Sequence, residues 1–170
     1  MKIFISAPKD KKFFIECVEA VAKARNDEWI YCPDRFRKLK DLQLLKEVMR
    51  ELTDAHIVLM DLSMKKFGDE WYPNSGVMIE FGLLMKDTTK GLGFVYMFCD
   101  DKTKRDNLPP MVPRVKVQQY SENHPEALKQ MVSKALEEFL RESPERERKL
   151  LEVYGATTTL VKQQIVYGNP

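Results

Sequence analysis

Five short apolar stretches alternate with stripes of helical spacing along the first 140 residues. KIFISA, residues 2–7, is β-branched and aromatic and is closed by Pro8, the pattern of a buried strand. Residues 11–25 then place Phe14, Val18, Val21 and Ala22 on one helical stripe, which Asn26-Asp27 breaks. EWIYC, residues 28–32, predicts a second strand ended by Pro33. After the charged loop DRFRKLK, residues 42–52 return to helical spacing through Leu45, Val48, Met49 and Leu52. HIVLMDL, residues 56–62, is almost wholly apolar, as a parallel strand covered on both faces must be. A loop over residues 63–73 leads to a helix from Ser75. GFVYMFC, residues 93–99, predicts a fourth strand, and the alternating RVKVQQY, residues 114–120, a fifth nearer an edge. A helix over about residues 125–140 follows, with Leu128, Met131, Val132, Ala135, Leu136 and Phe139 on one side.

Strand and helix alternating this often predict an α/β fold: a single flavodoxin-like (Rossmann-like) domain with a mostly parallel five-stranded sheet and helices on both faces. The composition shifts after Ser143-Pro144, so the domain is expected over residues 1–142. Residues 143–170 are expected to be a helical or extended appendage packing on the domain or on a second subunit.

Composition narrows the function classes. Hydrophobic residues make up 44% of the 170 and charged ones 32%, ordinary for a globular protein. A formal charge of +2, with Lys and Arg spread among acids, argues against nucleic acid as the partner. No apolar run is long enough to span a bilayer, so no membrane is expected. MKIFISAPKDKK turns charged too soon for a signal-peptide core, which makes the cytoplasm the expected compartment. Cys17, Cys32 and Cys99 lack metal-type spacing and read as buried reduced thiols. With His56 and His124 the only histidines, a zinc site or a Ser-His-Asp arrangement has little to work with. No metal and no cofactor is expected.

One stretch breaks the hydrophobic pattern. In PNSGVMIEFGLLM, residues 73–85, Glu80 stands alone among Val77, Met78, Ile79, Phe81, Leu83 and Leu84. Apolar neighbours raise a carboxyl pKa by desolvation, and a Glu held near neutrality is a useful acid, base or nucleophile. A solvent-facing Glu80, or one paired with a nearby lysine, fits the helix pattern equally well. In an open parallel sheet, ligands bind at the carboxyl ends of the strands. Ser6, Ala7 and Pro8 end the first strand there, Asp61 and Ser63 the third, and Asn74, Ser75 and Glu80 open the following helix. Asn74 or Ser75 is a candidate N-cap. Asp61 is also a residue type that closes strands by bonding local N–H groups. In the loop SMKKFGDEWYPN, Tyr72 and its neighbours bring aromatic rings able to stack a base or to pack as a lid.

DAHIVLMDLS, then PN, then GVMIEFGLLM resembles the nucleoside 2-deoxyribosyltransferase family and the wider TIR-like nucleotide-processing domains, over about residues 1–140. The resemblance implies cleavage or transfer at the N-glycosidic bond of a nucleoside, nucleotide or NAD-like dinucleotide. Glu80 would attack or stabilise the anomeric carbon and Asp61 would assist. Ser6, Ala7, Pro8, Ser63, Tyr72, Asn74, Ser75 and Gly76 would bind substrate. It further implies a homo-oligomer in which the chain end completes a neighbour's site, a role for Tyr167 and Asn169. The chain departs from the family pattern at Ser6-Ala7-Pro8, where the transferases commonly carry glycine. A non-catalytic TIR-like nucleotide-sensing or interaction module is the alternative. A regulator phosphorylated on Asp61 would want an acidic pair after the first strand, which Ser6-Ala7 does not offer.

Overall fold

The computed structural model describes residues 1–32, 41–86 and 94–144. Its elements run β1 (Lys2–Ser6), α1 (Lys12–Ala24), β2 (Glu28–Tyr31), α2 (Asp41–Asp54), β3 (Ile57–Asp61), β4 (Lys65–Phe67), β5 (Glu70–Tyr72), α3 (Ser75–Lys86), β6 (Val95–Asp100) and β7 (Val117–Tyr120). A last helix, α4, covers 125–144. The chain divides into two compact units, Met1–Ala135 and Leu136–Pro170, and the sheet belongs wholly to the first. The loop DRFRKLK, nearly all of the expected appendage, and Tyr167 and Asn169 lie outside the described residues.

The five-stranded sheet has the order β2-β1-β3-β6-β7 and every pairing in it is parallel. The expected α/β, flavodoxin-like architecture is therefore present. From β1 the chain goes outward to β2, then returns to β3 on the other side. The carboxyl ends of β1 and β3 consequently flank the point where strand order reverses, the place where open α/β sheets bind ligands.

Successive strand residues face opposite sides, and this sorts the core into two halves. Phe4, Val58, Met60, Val95, Met97 and Cys99 pack in one cluster with Val48 and Leu52 of α2 and Val77, Phe81 and Leu84 of α3. On the other side Phe14 of α1 lies 5.4 Å from the ring of Phe98 and 5.7 Å from that of Tyr120. Lys129 and Ser133 of α4 share a cleft with Ala20, Val21 and Ala24 of α1, which puts helices on both faces. All five residues of β3 are buried, matching the uninterrupted apolar run that predicts it. Asn26 ends α1 with a φ of 57°, a left-handed conformation that asparagine tolerates better than most residues.

Two stretches differ from the expected pattern. Residues 63–73 are not a loop throughout: Lys65–Phe67 and Glu70–Tyr72 form an antiparallel hairpin. Gly68 takes a φ of 58° at its turn, the positive φ that a two-residue hairpin connection needs at its first position. Charged residues on both strands, Lys65, Lys66 and Glu70, hide the alternation in the sequence. RVKVQQY contributes only its second half to the sheet. Arg114–Lys116 form a 3-10 turn, with Lys116 N–H bonded to the Pro113 carbonyl at 2.8 Å and Val115 92% exposed.

Gly68→Val would force a β-branched residue into the left-handed region, costing roughly 1–2 kcal/mol. A lowered urea midpoint with an unchanged slope is the expected outcome.

Candidate functional site

Ser6 and Glu80 meet at the reversal point. Ser6 is the last residue of β1, is 1% exposed, and follows Phe4 on the face that α3 covers. Its hydroxyl donates to Glu80 Oε2 at 2.5 Å. Glu80 projects from the second turn of α3, whose buried Val77, Phe81 and Leu84 seat that helix on the sheet. Val77 and Leu84, at i−3 and i+4, are its neighbours on the helix surface. Burial pushes the Glu80 carboxyl from an ordinary 4.5 up to about 7, against the Ser6 hydrogen bond, which favours the ionised form. Glu80 keeps a solvent-accessible edge. The partner found here is thus a serine hydroxyl, and the residue as a whole is half-buried.

The start of α3 explains three further residues. Val77 N–H donates to Asn74 Oδ1 at 3.1 Å and Met78 N–H to the Asn74 carbonyl at 3.0 Å, making Asn74 the N-cap. A Cβ on Gly76 would meet Asn74 Oδ1 at 3.2 Å, so a glycine here lets the cap fold tightly over the helix. Ser75 and Gly76 are exposed. Among the expected binding residues, these two and Tyr72, 45% exposed, are open to a ligand.

Asp61 is elsewhere. It follows Ile57 and Leu59 in register and so faces away from the cluster under α3, with no exposed surface. Oδ1 accepts from Ser63 N–H at 2.8 Å and Ser63 Oγ at 2.5 Å, and Oδ2 accepts from the Tyr120 hydroxyl at 2.8 Å. Burial raises its carboxyl to about 6, although all three hydrogen bonds favour the ionised form. The expectation of Asp61 beside Glu80 is therefore corrected: strand alternation separates them, and Asp61 holds a turn. Ser63 is spent in the same network, since its Oγ also accepts Asp100 N–H at 2.8 Å and it is 2% exposed. Ala7 is buried, and the Pro8 carbonyl accepts Lys11 N–H at 2.9 Å. Those two residues shape the β1–α1 turn.

The network continues through residues the sequence reading overlooked. Asp100 Oδ1 accepts from Thr103 N–H at 2.8 Å and Oγ1 at 2.6 Å, while Lys11 Nζ bridges Asp100 Oδ2 at 2.5 Å and Glu122 Oε1 at 3.1 Å. Burial works to lower the Lys11 ammonium and to raise the Asp100 carboxyl, but their contact, with Glu122 beside Lys11 and the Thr103 donors on Asp100, outweighs it: Lys11 is raised and Asp100 lowered. DLS at 61–63 and DDKT at 100–103 are matching signals, a strand-ending Asp with a hydroxyl two or three residues on. Among the described residues no group of three His, Cys, Asp or Glu could hold a metal ion, and no helix is long and apolar enough to cross a membrane.

Removing the Tyr120 hydroxyl should leave a buried carboxylate short of a donor, at a cost of roughly 1–3 kcal/mol. Because Asp61 titrates above its unfolded value, its own contribution is fully present below about pH 4 and lost as pH rises through about 6. The Tyr120 donor serves the ionised form, so Tyr120→Phe should cost more at pH 7.5 than at pH 5, read from urea midpoints. Asn74→Ala should lose about 1 kcal/mol at either pH by removing the cap. Set against known proteins, the chain matches no family model and no curated protein.

Proposed function

We propose that this protein is an enzyme acting on the N-glycosidic bond of a nucleoside, nucleotide or NAD-like dinucleotide, of the kind found among nucleoside 2-deoxyribosyltransferases and TIR-like nucleotide-processing domains. The observation that supports the reading is the Ser6–Glu80 pair: a largely buried carboxyl on a half-buried residue, hydrogen-bonded to a serine at the carboxyl end of β1. Glycosidic cleavage passes through an oxocarbenium-like state, and a carboxylate at C1′ stabilises or traps it. The ionised Glu80 bonds to or faces C1′ as the C1′–N bond breaks, and the departing base keeps the bonding pair and takes a proton from solvent water. Water or a second base then takes the sugar and regenerates the carboxylate. Ser6 orients Glu80 and stabilises its charged form. Asp61 acts at a distance, by fixing the turn after β3. Cys17, Cys32 and Cys99, none of them in a disulfide, suit the cytoplasm as the setting. Exposed Ile79 and Met85 on α3 offer apolar surface for self-association.

Glu80→Gln should keep the fold and lose at least about 10³-fold in base release, since it removes the group that meets C1′. The test is a panel of deoxynucleosides, deoxynucleotides and NAD with free base followed by chromatography. No release from any of them contradicts the reading. Ligand-dependent stabilisation without product, unchanged in Glu80→Gln, would favour a sensing module instead. Because the ionised form reacts, kcat/KM should climb with pH around a midpoint near 7. Ser6→Ala removes a bond to that form, so the midpoint should move upward and the rate at neutral pH fall about tenfold.

A further inference from the structure

The hairpin between β3 and α3 has two unlike faces. Its register pairs Lys65 with Tyr72 and Phe67 with Glu70, so these four side chains share one side, while Trp71 lies on the other and packs on the core. Trp71 anchors the hairpin and leaves Phe67 65% and Tyr72 45% exposed. Their rings stand edge to face, 5.9 Å apart at 67°, and form an apolar corner. The Tyr72 hydroxyl donates to Glu70, which fixes the direction of its ring.

Both ends of this hairpin are tied to the elements that carry Ser6 and Glu80. Lys65 Nζ lies 3.1 Å from Asp10 Oδ2, in the turn that follows Ser6. At the other end Tyr72 precedes Asn74, the cap of the helix bearing Glu80. Lys9 and Lys12, in and just after the turn that follows Ser6, are exposed and form no ion pair among the described residues, leaving positive charge that favours a phosphate.

We propose that the Phe67–Tyr72 corner is the base-recognition platform of the Ser6–Glu80 site, stacking the base of a phosphorylated nucleotide. This rests on the glycosidic reading and gives its substrate a class. Aromatic faces accept any base, so the platform sets affinity for a base and the two lysines set preference for phosphate. A purely structural role for the ring pair would affect folding alone.

The test is calorimetric binding to the Glu80→Gln protein of deoxyadenosine monophosphate, thymidine monophosphate and NAD, with ribose 5-phosphate as a base-free control. At least one nucleotide should bind, and Phe67→Ala and Phe67→Leu should each weaken it about tenfold without changing ribose 5-phosphate binding. The Leu variant keeps an apolar side chain, so equal losses in both variants identify ring stacking. Unchanged nucleotide affinity, an equal loss for the base-free sugar, or no nucleotide binding at all would overturn the proposal. So would a Phe67-dependent dimer whose loss leaves nucleotide binding intact. If nucleotides bind through Phe67 but no base is ever released, the platform stands and the glycosidic reading falls.

Discussion

A hydrogen bond between Ser6 and Glu80, 74 residues apart, meets a carboxyl on which two forces oppose, burial outweighing the bond. Burial dehydrates it and favours the neutral acid. The serine hydroxyl favours the anion. Were it exposed, Glu80 would be an ordinary acid, fully ionised and hydrated at neutral pH. Were Ser6 absent, it would lean further toward the neutral form. The fold supplies both conditions because β1 ends at the reversal of strand order and α3 is capped by Asn74 just before Glu80. The proposed chemistry at C1′ and its expected pH dependence both rest on that opposition.

The sheet divides polar work between its faces. On the α3 side one carboxyl is left poised. On the α1 side Asp61, Ser63, Tyr120, Asp100, Thr103 and Lys11 satisfy one another almost completely. Such a network rigidifies the carboxyl ends of β3, β6 and β7, since breaking any member leaves a buried polar group unpaired. The poised carboxyl can therefore sit on a rim that does not give way. Trp71 and the Lys65–Asp10 pair extend the rim outward as the hairpin.

Much of this was legible from residue order. HIVLMDL and GFVYMFC are apolar throughout because central parallel strands are buried on both faces, and they declare themselves in one sequence. Glu80 stood out for the same reason: it interrupts an apolar helix. What stayed hidden depends on which face a side chain takes at a strand end. Ser6 and Asp61 both close central strands, and only the register shows that they point apart. The hairpin was masked because its outward face mixes Lys65 and Glu70 with Phe67 and Tyr72, blurring the alternation that marks strands. Lys11 and Tyr120 lie far from Asp61 in the chain, so nothing local announces their convergence. DLS and DDKT did carry a signal, as a repeated device for closing a strand.

The central claim is that the Glu80 carboxyl titrates near neutrality in the folded protein, by burial opposed through Ser6. Carboxyl-carbon NMR of selectively labelled glutamate, assigned through Glu80→Gln, measures this without any substrate. The account predicts a midpoint near 7 that rises further in Ser6→Ala. A midpoint near 4.5, unmoved by Ser6→Ala, would contradict it.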